Sequence, residues 1–404
     1  MTQPTIHDSR MAPVPARRRR LTAAAIIAAS AGAAVFAMAV PAAGADVHAR
    51  EAPRPIGPRL QAILDRAVRA PETTFPGVAL YVRRPGHMSW SGAAGKASID
   101  PASRMRAGDR FRAGSIMKPF VAAATLQLVE EGKIALDDPL PAELPARVIA
   151  RFPDADRITV RMLLNHTSGI AEYTDARFDR AVLANPQRRW TTADLLDRAA
   201  TQPRSGAPGE RFAYSNANYN LLGLVLEQAT GKPWRAVVRE RVIERLHLRH
   251  TSLPQPGDVP TGRDIAHGYQ LVKGRLRDLT DIDSAMAGAA GGHALLTTTE
   301  DLSRFLRALL AGRLFQRQET LEAMRTFVPA ASSHGRVGYG LGLERYVLPG
   351  GVELVGHMGT TGGYRAFMFR LPAQDIDIAM VINTPGDPTP VLMPALKLLV
   401  AEAS

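Results

Sequence analysis

Apolar residues run almost without interruption from Leu21 to Val40, behind the positive cluster Arg17 to Arg20 and ahead of the small-residue step Ala43-Gly44-Ala45. This reads as a secretory signal peptide over residues 1–45, its apolar run also long enough to stay in a membrane as an anchor. The adjacent arginines further permit a twin-arginine export signal. A short proline-rich linker follows over residues 46–58. Beyond it the pattern becomes periodic. Leu60 to Ala70 has helical spacing, Gly77 to Arg83 and Met88 to Ala93 read as strands joined by a Pro85-Gly86 turn, and Phe111 to Gln127 (FRAGSIMKPFVAAATLQ) opens an alanine-rich helix that stops at Glu131-Gly132.

From Leu136 to about Ser284 prolines and short helical patterns dominate: Thr159 to Leu164, Trp190 to Ala200 with Thr191 or Thr192 as cap, and Asn218 to Ala229 ended by Gly231 and Pro233. Strand signals then return. Gly288 to Thr297 leads into a helix over Thr299 to Ala311; Tyr339 to Val347, Val352 to His357, Tyr364 to Leu371 and Ile376 to Asn383 alternate; Pro390 to Ala403 closes as a helix. Strands at both ends and helices between predict an α+β domain over residues 59–404. Its antiparallel sheet lobe comprises 59–132 and 285–404, flanked by helices, and an all-helical lobe, 133–284, is inserted. A cleft belongs where the lobes meet.

Composition narrows the setting. The formal charge is +12, and removing residues 1–45 takes five arginines and one aspartate and leaves +8. Such a surface suits anionic wall polymers or lipid headgroups, or simply spreads its charges over solvated faces. Nucleic acid is excluded as a partner class by the lack of a basic run interleaved with aromatics. With zero cysteines there is neither a disulfide nor a cysteine to acylate.

Lysine is scarce: six of the 50 basic residues. Lys118 lies three positions after Ser115 at the start of the alanine-rich helix, so their side chains are surface neighbours. A serine hydroxyl needs such a base or cation to attack at neutral pH, and lysine, unlike arginine, can shed its proton when buried; without a base Ser115 is an N-cap. Tyr214-Ser215-Asn216 sits at a loop-to-helix junction. Beside a lysine ammonium Tyr214 would be stabilised as phenolate and could take the Ser115 proton, while Asn216 offers donor and acceptor to a substrate amide or merely caps the helix. Gly356 to Gly363 surrounds His357 and Gly359 with glycines that let another backbone approach, as a peptide pairing with a sheet edge requires; alone, it reads as a glycine-rich hairpin. His166, in Leu163 to Gly169 (LLNHTSG), reads as a capping or packing residue.

Taken together, Ser115-Ile116-Met117-Lys118, Tyr214-Ser215-Asn216 and His357-Met358-Gly359 resemble the three motifs of the penicillin-recognising serine hydrolases, which include D-alanyl-D-alanine carboxypeptidases, class C β-lactamases and related esterases. The likeness spans the mature chain and includes LLNHTSG; in motifs it is nearest to secreted actinobacterial D,D-carboxypeptidases. It implies a β-lactamase/transpeptidase-like fold, an acyl-enzyme on Ser115, and Lys118 and Tyr214 sharing its proton. It also implies an oxyanion hole from the N–H groups of Ser115 and Thr360 beside Gly359, Asn216 on the substrate amide, and His357 where many relatives have lysine. The implied substrates are a small peptide, ester or β-lactam, with peptidoglycan as the natural source, no cofactor and no metal. One departure stands out. Relatives usually carry Thr or Ser at the position of Met358; by the two-residue period Met358 and Thr360 share one face, taken here as the substrate face, and Arg345 is a candidate for supplementary charge. The loss of that hydroxyl weakens peptidase and β-lactamase specificity and strengthens an esterase or other amidase. No G-x-S-x-G or H-E-x-x-H occurs, Gly338, Gly340 and Gly342 read as strand, and a non-catalytic wall-binding protein would have no reason to retain Ser115, Lys118 and Tyr214 together.

Overall fold

The computed structural model describes residues 55–403 apart from 85, 87, 88, 261 and 333. The expected signal peptide and most of the linker lie outside the described residues, as do Pro85 and Met88 of the expected first hairpin. Nine strands form one antiparallel sheet. An early and a late strand meet inside it, where Gly77–Arg83 pairs with Ile376–Ile382, Val78 opposite Ile382 and Arg83 opposite Asp377. All seven residues of Ile376–Ile382 are buried, which accounts for its nearly continuous apolar sequence. The exception, Asp377, accepts a 2.6 Å hydrogen bond from Arg370 on the neighbouring strand.

One sheet face is covered by the first and last helices, Ile56–Ala67 and Thr389–Ala403, whose Leu60, Leu64, Leu396 and Leu399 pack on Leu80, Phe367, Phe369 and Met380. The other face packs against Met117–Glu130, Thr299–Leu310 and the helical lobe. Met117–Glu130 is buried continuously from Met117 to Leu128, as a helix that is apolar all round must be. It therefore lies between sheet and helical lobe, and its first turn emerges where the two meet.

Most elements follow the periodicity; Tyr364–Leu371 spans the predicted residues. Thr191 caps Thr192–Ala200 with a full capping box to Asp194. The exceptions lie where glycines cluster or strands are short. The middle stretch is not all helical, because Tyr269–Val272 and Arg275–Asp278 form a separate hairpin. The expected strand Tyr339 to Val347 is two strands, Arg336–Tyr339 and Glu344–Leu348, turned around Gly340 to Gly342. Gly288 to Thr297 is chiefly a loop containing a short helical turn, with strand only at Leu296–Thr297.

One pairing places the site. Glu344–Leu348 pairs with Val352–Gly356 and stops there, while Val352–Thr361 continues for five residues along its other neighbour. His357–Thr361 is thus left, among the described residues, with an open edge at the lobe junction.

Candidate active site

Ser115 sits in a tight turn, Gly114–Ile116, that runs directly into Met117–Glu130. Its hydroxyl caps neither element. Instead Ser115 Oγ lies 3.1 Å from Lys118 Nζ and 2.9 Å from the Tyr214 hydroxyl. Lys118 is fully buried, and its nitrogen also contacts Asn216 Oδ1 and the Ala290 carbonyl, each at 2.7 Å. Burial pushes the Lys118 ammonium down from 10.5 to about 7, against the attraction of Glu172 and Glu344. A neutral amine has two N–H groups and one lone pair. The two carbonyl-type oxygens take the N–H groups, which leaves the lone pair for the Ser115 O–H.

The Tyr214 phenol does not ionise beside this lysine, contrary to the sequence-based expectation. Burial pushes it well above its ordinary value, and the charges of Glu344 and Glu172 oppose a phenolate further. Desolvation disfavours both charged forms, so the phenol stays protonated while the lysine exchanges between ammonium and amine near neutral pH. Tyr214 donates to Ser115 Oγ; the Lys118 ammonium donates to Ser115 Oγ as well, and once deprotonated its amine accepts from the Ser115 O–H.

The loop carrying Tyr214 is held from the helical lobe. Ser215 N–H donates to His166 Nδ1 at 3.2 Å, Ser215 Oγ donates to the Ala171 carbonyl at 2.9 Å, and Asn216 N–H donates to Glu172 Oε2 at 2.8 Å. His166 is the packing residue expected, fully buried with its ring centroid 4.4 Å from that of Tyr214. Its burial keeps the ring neutral, well below the ordinary histidine range.

The third motif lies on the open edge. A Cβ on Gly359 would come 2.0 Å from the Ala113 carbonyl and 3.0 Å from Ser115 N, so only glycine lets this strand reach Ser115. Met358 N–H donates sideways to Glu344 Oε2 at 2.9 Å. By the two-residue repeat Thr360 N–H points along the same open edge, and the Thr360 backbone passes within 3.0 Å of where a Cβ on Gly114 would sit. The N–H groups of Thr360 and Ser115 thus border one small space.

Two side chains behave differently from expectation. Met358 packs with the core on the far sheet face, beneath the first and last helices. His357 and Gly359 occupy the inward face, so alternation turns Met358 and Thr360 outward, and the substitution at Met358 removes no hydroxyl from the cleft. Arg345 is no free charge either, since it pairs with Glu353 at 3.1 Å. His357 is 1% exposed. Its Nε2 lies 2.9 Å from the Tyr339 hydroxyl, its Nδ1 donates to the Met358 carbonyl, and burial holds its pKa below the ordinary value. It flanks the cleft from beneath as a neutral ring.

Sequence reasoning missed Ala290 and Gly291 on the Lys118 and Ser115 side, and Glu172 and Glu344 behind the other two motifs. Gly291, at φ 124°, lies so close to the Ser115 turn that a Cβ would be 2.3 Å from the Gly114 carbonyl. A glycine cluster without strand alternation, Gly288 to His293, was the available signal for a turn. Among the described residues no three His, Cys, Asp or Glu side chains group to hold a metal ion, and no helix is long and apolar enough to cross a membrane.

Known proteins resemble this chain in sequence and in fold. Esterase EstB of Burkholderia gladioli is 29% identical over 360 residues, covering 81% of this chain and 90% of the esterase. A D-stereospecific amidohydrolase from Streptomyces sp. superposes with a TM-score of 0.74 at 34% identity, over 84% of this chain and 98% of that one. The D-amino acid amidase of Ochrobactrum anthropi SV3, solved with L-phenylalanine amide, gives 0.73 at 26% identity over 85% and 98%. The Beta-lactamase family model matches residues 61–402, and the chain belongs to that family of serine hydrolases.

Proposed function

We propose that the chain hydrolyses amides of D-configured amino acids or short peptides through an acyl-enzyme on Ser115, the D-alanyl-D-alanine carboxypeptidase reaction being one member of that class. The observation that carries this reading is the Lys118 nitrogen, buried, titrating at about 7 and 3.1 Å from Ser115 Oγ. As Ser115 Oγ bonds to the substrate carbonyl carbon, its proton passes to Lys118 Nζ. The carbonyl oxygen takes the charge beside the N–H groups of Ser115 and Thr360. The C–N bond then breaks, and the leaving amine takes a proton from Lys118 directly or through the Tyr214 hydroxyl, which stays protonated for that purpose. Water reverses the sequence and frees the acid and Ser115.

Amides need that proton at the leaving nitrogen far more than esters do, which favours amide chemistry at a Ser–Lys–Tyr proton loop. Charge separates two kinds of amide. Arg336 and Arg345 are committed to Glu344 and Glu353, whereas the half-buried Glu172 lies beside Asn216. That balance suits a substrate with an α-ammonium better than one ending in a carboxylate. The D-configuration rests on the amidohydrolase and amidase relatives. Ester hydrolysis is the second reading, supported by the esterase relative. Residues 1–45 alone support placing the reaction outside the cytoplasm, with peptidoglycan peptides and β-lactams as accessible substrates; cell fractionation tests this.

The experiment compares D- and L-phenylalanine amide, a D-Ala-D-Ala peptide, a cephalosporin and p-nitrophenyl acetate on wild type and Ser115→Ala, with intact-mass detection of the acyl adduct. Turnover of the D-amide at least about tenfold above the L-amide, lost in Ser115→Ala, is expected. Ester turnover without any amide turnover makes the protein an esterase, and absence of any adduct removes acyl transfer at Ser115.

A further inference from the structure

The loop that meets Lys118 is rich in glycine. Gly288, Gly291 and Gly292 all have positive φ, yet between them Ala290 must hold its carbonyl 2.7 Å from Lys118 Nζ. Short-range backbone hydrogen bonds and the Asn220 Oδ1, 3.4 Å from Ala290 N, hold the loop on the helical-lobe side. His293, the residue that ends it, is fully buried and makes two connections. Its carbonyl accepts a hydrogen bond from Arg112 Nη1, a guanidinium that is itself fully buried. Its ring Nε2 lies 3.0 Å from the Gly362 carbonyl. A carbonyl can only accept, so Nε2 carries the proton.

Gly362 follows Val352–Thr361 directly, two residues after Thr360. The His293 ring therefore spans from the segment that holds the base to the strand end that carries the oxyanion N–H. We propose that His293 is a positioning residue for acyl transfer, a strut that sets the spacing between Lys118 and the Thr360 N–H, with Arg112 clamping its backbone. It touches neither substrate nor reacting atoms. Displacing one corner by a fraction of an ångström leaves substrate binding intact while misaligning the base and the oxyanion donors, and such errors are felt in the transition state.

This inference rests on acyl transfer at Ser115 but not on the choice of amide, so p-nitrophenyl acetate is the substrate. His293→Leu keeps volume and removes the N–H; His293→Gln retains a donor on a flexible stem. Measured well below the Tm of each variant, with folding checked by circular dichroism, His293→Leu should lower kcat about tenfold or more with KM within about twofold. His293→Gln should recover to within about threefold of wild type. A purely structural role would lower Tm in the leucine variant without this kcat-specific loss and rescue. Wild-type kcat in His293→Leu, a change confined to KM, or a kcat loss that His293→Gln does not restore would each overturn the strut. Failure of the wild type to acylate would instead remove the reading under it, and the strut with it.

Discussion

Lys118 and Arg112 are both fully buried basic side chains, and burial acts on them to opposite ends. At Lys118 it brings the ammonium down to about 7, a differential penalty on the charged form of roughly 5 kcal/mol. The side chain can answer by releasing its proton, and the pocket supplies two acceptors for the remaining N–H groups. At Arg112 burial lowers the guanidinium only to about 10, so at neutral pH it stays charged. Arg112 Nε and Nη2 find no partner among the described residues, and Nη1 is spent on the His293 backbone. The same burial thus makes a base of lysine and a fixed clamp of arginine. A chain that uses arginine almost everywhere keeps one of its few lysines where a proton must move.

The comparison breaks most severely if the two chemistries are exchanged. Lys118→Arg should reduce acylation by about four orders of magnitude or more, because the charge remains and the lone pair does not; stopped-flow burst amplitude with p-nitrophenyl acetate reads this directly. Tyr214→Phe removes the proton donor at Ser115 Oγ and leaves the base. Its kcat should fall about a thousandfold on an amide and less on an ester, whose leaving group needs no proton, as paired steady-state assays would show. Gly359→Ala leaves both side chains but forces the strand off the nucleophile, since its Cβ would meet the Ala113 carbonyl at 2.0 Å; a kcat loss of about a hundredfold is expected. At the other extreme, Met358→Thr should change kcat/KM by less than about twofold, measured on the D-amide and the D-Ala-D-Ala peptide, because Met358 packs on the far face.

Much of this was legible in the sequence. Alternation located Tyr364–Leu371, and one helical turn was enough to put Ser115 beside Lys118. Gly359 was readable as a point of close approach, although what approaches it could not be read. The orientation of Met358 was recoverable and was read wrongly: once His357 and Gly359 face inward, the residue between them cannot. The protonation of Tyr214 was not recoverable, because it depends on how much water the assembled lobes exclude. Ala290 contributes through its carbonyl, which every residue has, so no side chain marks it. Glu172 and Glu344 act on backbone N–H groups 44 and 14 positions away, distances that only the fold closes.

The central claim, that Lys118 is the resting base at Ser115, is tested most directly by the pH dependence of the pre-steady-state acylation rate with p-nitrophenyl acetate. Since the base form accumulates above its pKa, the rate should rise with pH to a plateau, with a midpoint of about 7. The raised Tyr214 phenol should add no second limb on the alkaline side. A midpoint near the ordinary lysine value of 10.5, or a rate that falls as pH rises through neutrality, would contradict it.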